Sequence, residues 1–233
     1  MRFLKLATLA LLGKAAAEIR ILTPPDEHAQ GESVAIVWIH GADCDGGAYT
    51  EFANTIQTQA ARDGKKVWVG IPQFFFDIPE PLLIDKYVND TIAQLREAGF
   101  TGDNIMIAGH SLGGIMSQDY AGAHSNLIKG QFLMGSVLLR KHRSLNNVKG
   151  TTNFDYKVPT LTLGGTKDGL MRVSRLAESY WHQYKNIQPD QAGMFPIFAL
   201  EGTSHMSYMT GDAPKAVKAR DLVPDIDDAL AKK

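Results

Sequence analysis

Gly109-His110-Ser111-Leu112-Gly113 sets a serine between two glycines, one on each side at a distance of two positions. Residues 104–108 before it form a short apolar run. Leu112, Ile115, Met116 and Tyr120 after it fall on one helical stripe. A serine on so sharp a strand-to-helix turn is held in a strained backbone conformation with its hydroxyl lifted clear. The glycines let strand and helix come close together. A hydroxyl presented in this way is a candidate nucleophile for acyl transfer. Without that strand and helix the pattern would be only a glycine-rich turn. A second turn, Ile39-His40-Gly41-Ala42-Asp43-Cys44-Asp45-Gly46-Gly47, follows the longest apolar run, and glycine at 41 lets its backbone bend toward a ligand. Gly164-Gly165-Thr166-Lys167 lacks the spacing that cradles phosphates, and there is no dinucleotide-binding glycine turn. The single cysteine, Cys44, excludes both an internal disulfide framework and a cysteine-rich zinc module.

The elements that must position these turns alternate along the chain. Residues 33–39 form a continuous apolar run, as expected of a strand buried on both faces. Tyr49, Phe52, Ala53, Ile56 and Ala60 then mark a helix stripe, residues 66–70 a strand, and Ile84, Val88, Ile92 and Leu95 a second helix. After the serine helix come strands at 131–135 and 160–163, and a helix carrying Leu170, Val173, Ala177, Tyr180 and Tyr184. A last strand at 196–200 and a terminal helical region follow. This is an α/β pattern: a mostly parallel central sheet with helices on both faces, whose functional groups gather beyond the carboxyl ends of the strands. The chain has 233 residues, 44% apolar and 21% charged, which suits one globular domain. With 24 Lys and Arg against 25 Asp and Glu, its formal charge of −1 argues against nucleic acid or an acidic membrane as partner.

The elbow and its flanking elements resemble the α/β-hydrolase superfamily, and the resemblance runs from about Ile19 to the end. It implies a Ser-Asp/Glu-His order with each residue just after a strand, while the short connection after Gly135 points to a small or absent cap. Asp168, in Leu163-Gly164-Gly165-Thr166-Lys167-Asp168, and His205, in Leu200-Glu201-Gly202-Thr203-Ser204-His205, occupy those places. Ser111 is then the nucleophile, His205 the base and Asp168 the group that orients it. Asp155 precedes its strand and so falls at the wrong end of the sheet. His110 is read as pointing away from the nucleophile, and His124, His142 and His182 as surface residues. The His40-Gly41 turn resembles the family's oxyanion loop, which assigns the two donors to the backbone of Ala42 and Leu112. Relatives of the dienelactone hydrolase type carry cysteine in the elbow; this chain has serine there. The resemblance implies hydrolysis of a small-molecule carboxylic ester through an acyl-enzyme, with neither cofactor nor metal. An acyltransferase, a serine peptidase and a ligand-binding protein on the same fold are the alternatives.

Phe74, Phe75 and Phe76 lie beyond a strand end on the side of the serine and are candidates for an acyl-pocket wall, with core packing as the alternative. Arg140-Lys141-His142-Arg143 falls where relatives place caps; it would attract anionic substrates or simply be a solvated face. The short connection between Gly135 and Pro159 leaves no room for a large helical lid, so short to medium acyl groups are expected. At the start, Arg2 and Lys5 flank an apolar stretch from Leu6 to Leu12, with Ala15-Ala16-Ala17 before Glu18. This is a secretory-signal pattern, blemished by Lys14; an amphipathic helix is the alternative. The reading is a leader over 1–17, a single domain over 18–233 and a secreted protein, in which the Asn89-Asp90-Thr91 sequon would gain meaning and Cys44 would be a buried thiol. No apolar run is long enough to span a membrane, so stable membrane insertion is not expected.

Overall fold

The computed structural model describes residues 18–25, 31–143, 154 and 156–226. The expected leader over 1–17 and the rejected Asp155 lie outside the described residues. Seven strands form one sheet: β1 (Ile19–Leu22), β2 (Glu32–Ile39), β3 (Lys65–Pro72), β4 (Asn104–His110), β5 (Ile128–Met134), β6 (Thr160–Gly165) and β7 (Ile197–Leu200). Their order is β1-β3-β2-β4-β5-β6-β7. Only β1 runs antiparallel, against β3; the remaining pairs are parallel. The helices are α1 (Thr50–Arg62), α2 (Pro81–Glu97), α3 (Leu112–Ala123), α4 (Val173–Asn186) and a single turn, α5 (Lys215–Lys218).

β2 reads as unbroken hydrophobe because it sits mid-sheet and feeds both cores. Ala35, Val37 and Ile39 join Ile84, Val88 and Leu95 of α2 and Tyr120 of α3 on one face. Val34, Ile36 and Trp38 join Ala53 of α1, together with Tyr49, on the other. The chain moves from β2 outward to β3 and then crosses to β4 on the opposite side of β2. The carboxyl ends of β2 and β4 therefore flank a topological switch point, where parallel α/β sheets open a crevice. The loop starting at His40 and the turn at Ser111 both leave the sheet there.

Several elements differ from expectation: β1 was not foreseen, and α4 begins at Val173, leaving Leu170 in the loop before it. β5 begins at Ile128 rather than 131, with a register shift between Ile105 and Met106 of β4. Lys129 and Gly130 break its apolar pattern and hide its start. The terminal helical region reduces to α5 among the described residues. Among the described residues no helix is long and apolar enough to cross a membrane.

Candidate active site

Ser111 follows β4 directly and precedes α3, at φ 51° and ψ −120°, outside the region open to most L-residues. The turn closes only because its neighbours lack side chains. A Cβ on Gly113 would lie 2.4 Å from the His40 carbonyl oxygen, and one on Gly109 2.5 Å from the Gly114 Cα. The Ser111 N–H donates to the Met134 carbonyl at 2.9 Å, which ties the elbow to the end of β5.

The structure brings Ser111, His205 and Asp168 into one line. His205 Nε2 stands 2.8 Å from Ser111 Oγ, and His205 Nδ1 stands 2.8 Å from Asp168 Oδ2. A carboxylate only accepts, so Nδ1 carries the proton and leaves Nε2 free to receive that of Ser111. Asp168 is held in turn: its Oδ1 accepts the N–H groups of Leu170 and Met171 at 2.8 and 2.6 Å. The loops after β6 and β7 are cross-linked, with Lys167 N–H on the Thr203 carbonyl at 2.9 Å and Gly202 N–H on Thr166 Oγ1 at 2.9 Å.

Gly135 closes this arrangement from the side of β5. It adopts φ 52°, and a Cβ there would lie 3.0 Å from His205 Nδ1 and 3.4 Å from Asp168 Oδ2. Gly135→Ala is expected to push His205 off Asp168. It should lower kcat about tenfold or more, equivalent to about 1.4 kcal/mol of barrier, with KM nearly unchanged. Steady-state kinetics on one soluble ester checks this.

The oxyanion candidates stand opposite. A Cβ on Gly41 would lie 3.4 Å from that of Ser111, so the loop after β2 runs against the nucleophile. Leu112 opens α3, where its N–H has no intrahelical acceptor. The next residues of the β2 loop are fixed from three directions. Asp43 N–H donates to the Asp77 carbonyl at 2.8 Å, and Cys44 Sγ to the Ala42 carbonyl at 3.3 Å. His40 donates from Nδ1 to the Gly41 carbonyl at 2.7 Å and accepts the Phe74 N–H on Nε2 at 3.1 Å. Burial holds the His40 pKa down and so keeps its ring neutral. Cys44 is a buried free thiol whose pKa burial raises, the opposite of what a reactive thiolate needs.

The three phenylalanines separate. Phe74 is buried in the core and stacks on Tyr87, so it builds the fold rather than a pocket wall. Phe75 is half-exposed and packs edge-on to Phe76, which is 82% exposed at φ 55°. Gln73 explains why this segment matters to the site: its Oε1 accepts the Gly46 N–H, and its Nε2 donates to Asp77 Oδ1 at 2.6 Å. The segment braces the loop after β2. Asn89 and Thr91 of the sequon lie within α2, where the Thr91 hydroxyl is buried and donates to the Tyr87 carbonyl at 2.6 Å.

Three supporting residues went unrecognised in the sequence. His110 is fully buried; its Nε2 lies 2.8 Å from the His205 carbonyl and its Nδ1 2.7 Å from the Tyr49 hydroxyl. A carbonyl cannot donate, so Nε2 bears the proton, Tyr49 O–H donates to Nδ1, and the Tyr49 oxygen accepts the Gly41 N–H at 3.0 Å. This chain of bonds joins the loop after β2, the elbow and His205. Asp221 Oδ1 accepts the N–H groups of Gly169 and His205 at 2.9 and 3.1 Å, tying together the loops that carry Asp168 and His205. Position beside the elbow was the one available signal for His110; Tyr49 and Asp221 carried none. Of the other histidines, His124 stacks on Tyr120, His142 pairs with Asp119, and His182 lies on α4. Among the described residues no group of three or more His, Cys, Asp or Glu is placed to hold a metal ion.

Residues 35–212 match the family described as Alpha/beta hydrolase family. The chain belongs to the alpha/beta hydrolase family. No curated protein sequence matches it. Among solved structures, the fold of this alpha/beta hydrolase is similar to that of Est1E from Butyrivibrio proteoclasticus with ferulic acid bound. The TM-score is 0.55 at 12% identity, over 87% of this chain and 92% of that one. It is also similar to a predicted CIB-like hydrolase from Thermoplasma acidophilum, with TM-score 0.53 at 12% identity over 83% and 91%. The epoxide hydrolase VrEH1 from Vigna radiata gives TM-score 0.53 at 10% identity over 83% and 90%. At such identities the likeness is one of fold, and an alpha/beta hydrolase's substrate must be argued from its own site.

Proposed function

We propose that this hydrolase cleaves carboxylic esters of short to medium acyl chains through Ser111, His205 and Asp168. The observation that carries the reading is the unbroken line of two 2.8 Å contacts from Asp168 through His205 to Ser111. Ser111 Oγ attacks the ester carbonyl as His205 Nε2 takes its proton. The backbone N–H groups of Ala42 and Leu112 receive the negative charge on the carbonyl oxygen. His205 then gives the proton to the departing alcohol, leaving an acyl-serine. Water repeats the sequence in reverse roles and frees the acid. Asp168, bonded to His205 Nδ1, orients the ring and favours the imidazolium formed in each step.

The chain-length reading rests on the short segment between Gly135 and Pro159 and on the exposure of Phe75 and Phe76, which wall no deep apolar groove. Each methylene left outside an apolar wall forgoes about 0.8 kcal/mol of burial. Across 4-nitrophenyl esters from acetate to palmitate, kcat/KM should peak at short or medium chains. No jump is expected as the substrate forms micelles. Preference for palmitate would overturn the open-groove reading while leaving the triad intact.

A further inference from the structure

A cavity of about 510 Å³ opens beside the elbow. Ile115, one helical turn beyond Ser111, forms part of its floor, with Val137, Leu139, Leu170 and Met171. Leu170 and Met171 are the residues whose N–H groups hold Asp168, so the cavity adjoins the acid loop as well as the nucleophile helix. Its polar rim is entirely cationic: Arg140, Lys141, Arg143 and Arg175. Lys141 pairs with Asp119 at 2.5 Å. The three arginines converge on a single carboxylate, Glu178, at 2.8 Å from Arg140, 3.4 Å from Arg143 and 3.5 Å from Arg175. Positive charge at this mouth therefore exceeds the anions that face it.

Arg143 is the decisive member. It is 3% exposed, and its Nε and Nη1 have no hydrogen-bonding partner among the described residues. A buried guanidinium with idle donors is costly, and native structures keep such groups where something else supplies the acceptor. A carboxylate supplies both the charge and the acceptor oxygens, and arginine is the residue best matched to it. The apolar part of the lining, which includes Ile115 of the helix that follows the elbow, suits a hydrocarbon spacer.

We propose that this cavity is a subsite for a carboxylate carried by the substrate, so that the preferred esters bear a free carboxylate separated from the ester bond by an apolar spacer. The proposal rests on the ester-hydrolase reading of Ser111, and the test separates the two. The kcat/KM ratio of 4-nitrophenyl hydrogen adipate to 4-nitrophenyl hexanoate reads a carboxylate on the acyl side. The ratio of 4-acetoxybenzoate to its methyl ester reads one on the alcohol side. At least one ratio should exceed about ten in the native enzyme, in keeping with a charge-assisted hydrogen bond. Arg143→Gln should bring that ratio to about one or below; Arg175→Gln, at an exposed position, should lower it several-fold and serves if the buried variant fails to fold. Independently of turnover, monomethyl adipate should raise the melting temperature of Ser111→Ala protein, and not that of the Ser111→Ala, Arg175→Gln double variant to the same extent. Ester turnover with both ratios near or below one would overturn the subsite and leave the hydrolase reading standing. Arginine-dependent binding of monomethyl adipate without any ester turnover would do the reverse.

Discussion

Ser111→Ala is expected to lower ester turnover by roughly 10³–10⁶-fold and to abolish covalent capture of an acyl or phosphonyl group, because members of a triad act as a unit. His205→Ala should cost about as much, since the 2.8 Å contact from Nε2 is the only basic group the structure places on Ser111 Oγ among the described residues. Asp168→Asn should cost somewhat less. An amide at 168 presents a donor to His205 Nδ1 in one orientation and favours the wrong tautomer, yet nucleophile and base remain in contact. All three variants should keep near-native oxyanion geometry, so KM should move far less than kcat. The readouts are steady-state kinetics on a soluble 4-nitrophenyl ester and intact-protein mass after an active-site-directed phosphonate. Near-normal turnover by purified Ser111→Ala would remove Ser111 as the nucleophile and with it the proposed mechanism.

His110→Phe is expected to be the most damaging change outside the triad. It leaves the His205 carbonyl and the Tyr49 hydroxyl without their shared partner inside the core. Two such buried groups together imply a loss of about 2–4 kcal/mol at neutral pH. The same variant should lower kcat by roughly tenfold to a hundredfold with little change in KM, since the displaced group is the backbone of the base rather than a substrate contact. The pH dependence separates this role from simple loss of packing. Burial first, and the neighbouring His205 second, depress the His110 pKa from 6.5 to about 3. As pH falls, the unfolded chain therefore binds this proton before the folded one does. The stability linked to neutral His110 is present in full above 6.5 and drains away as pH falls toward about 3. The native protein should lose unfolding free energy across that window, and His110→Phe should lose less by the share of one proton. Urea midpoints at neutral pH and at about pH 5 measure the difference. An equal slope in both proteins would show that His110 is not the group held neutral.

How much of this was legible in the chain follows from the range over which each feature is determined. The elbow is a local structure: a strained serine needs glycines within two positions, a strand before and a helix after. All of these lie in one short stretch of sequence. β2 to β6 were legible because they carry runs of buried hydrophobes. β7, like β1, spans four residues at an edge; its run Ile197-Phe198-Ala199-Leu200 is unbroken, whereas Arg20 interrupts β1, which escaped notice. Asp168 and His205 stood out through position, since a parallel sheet delivers every strand's carboxyl end to the same side. Their meeting is a consequence of topology as much as of type. β5, β6 and β7 lie side by side, so the loops leaving β6 and β7 must reach toward Ser111.

What only the tertiary structure decided is the fate of residues whose local pattern suits several environments. Phe74, Phe75 and Phe76 are alike in sequence, yet the backbone reverses at Phe76 and sends one ring into the core and the other two toward solvent. His110 and Tyr49 are sixty-one positions apart, and no periodicity links them; the loop after β2, whose closing turn Gly46–Tyr49 carries Tyr49, meets the end of β4 and makes them partners. Asp221 joins two loops from a stretch that carries no motif. Arg143 belongs to a basic run that reads like any solvated face, but folding buries its guanidinium beside Glu178 while Arg140 and Lys141 stay in water. Short-range sterics and the alternation of strand and helix are written in neighbouring residues. Burial and pairing depend on segments brought together from far along the chain, and only the assembled sheet determines which polar groups lose water and which partners replace it.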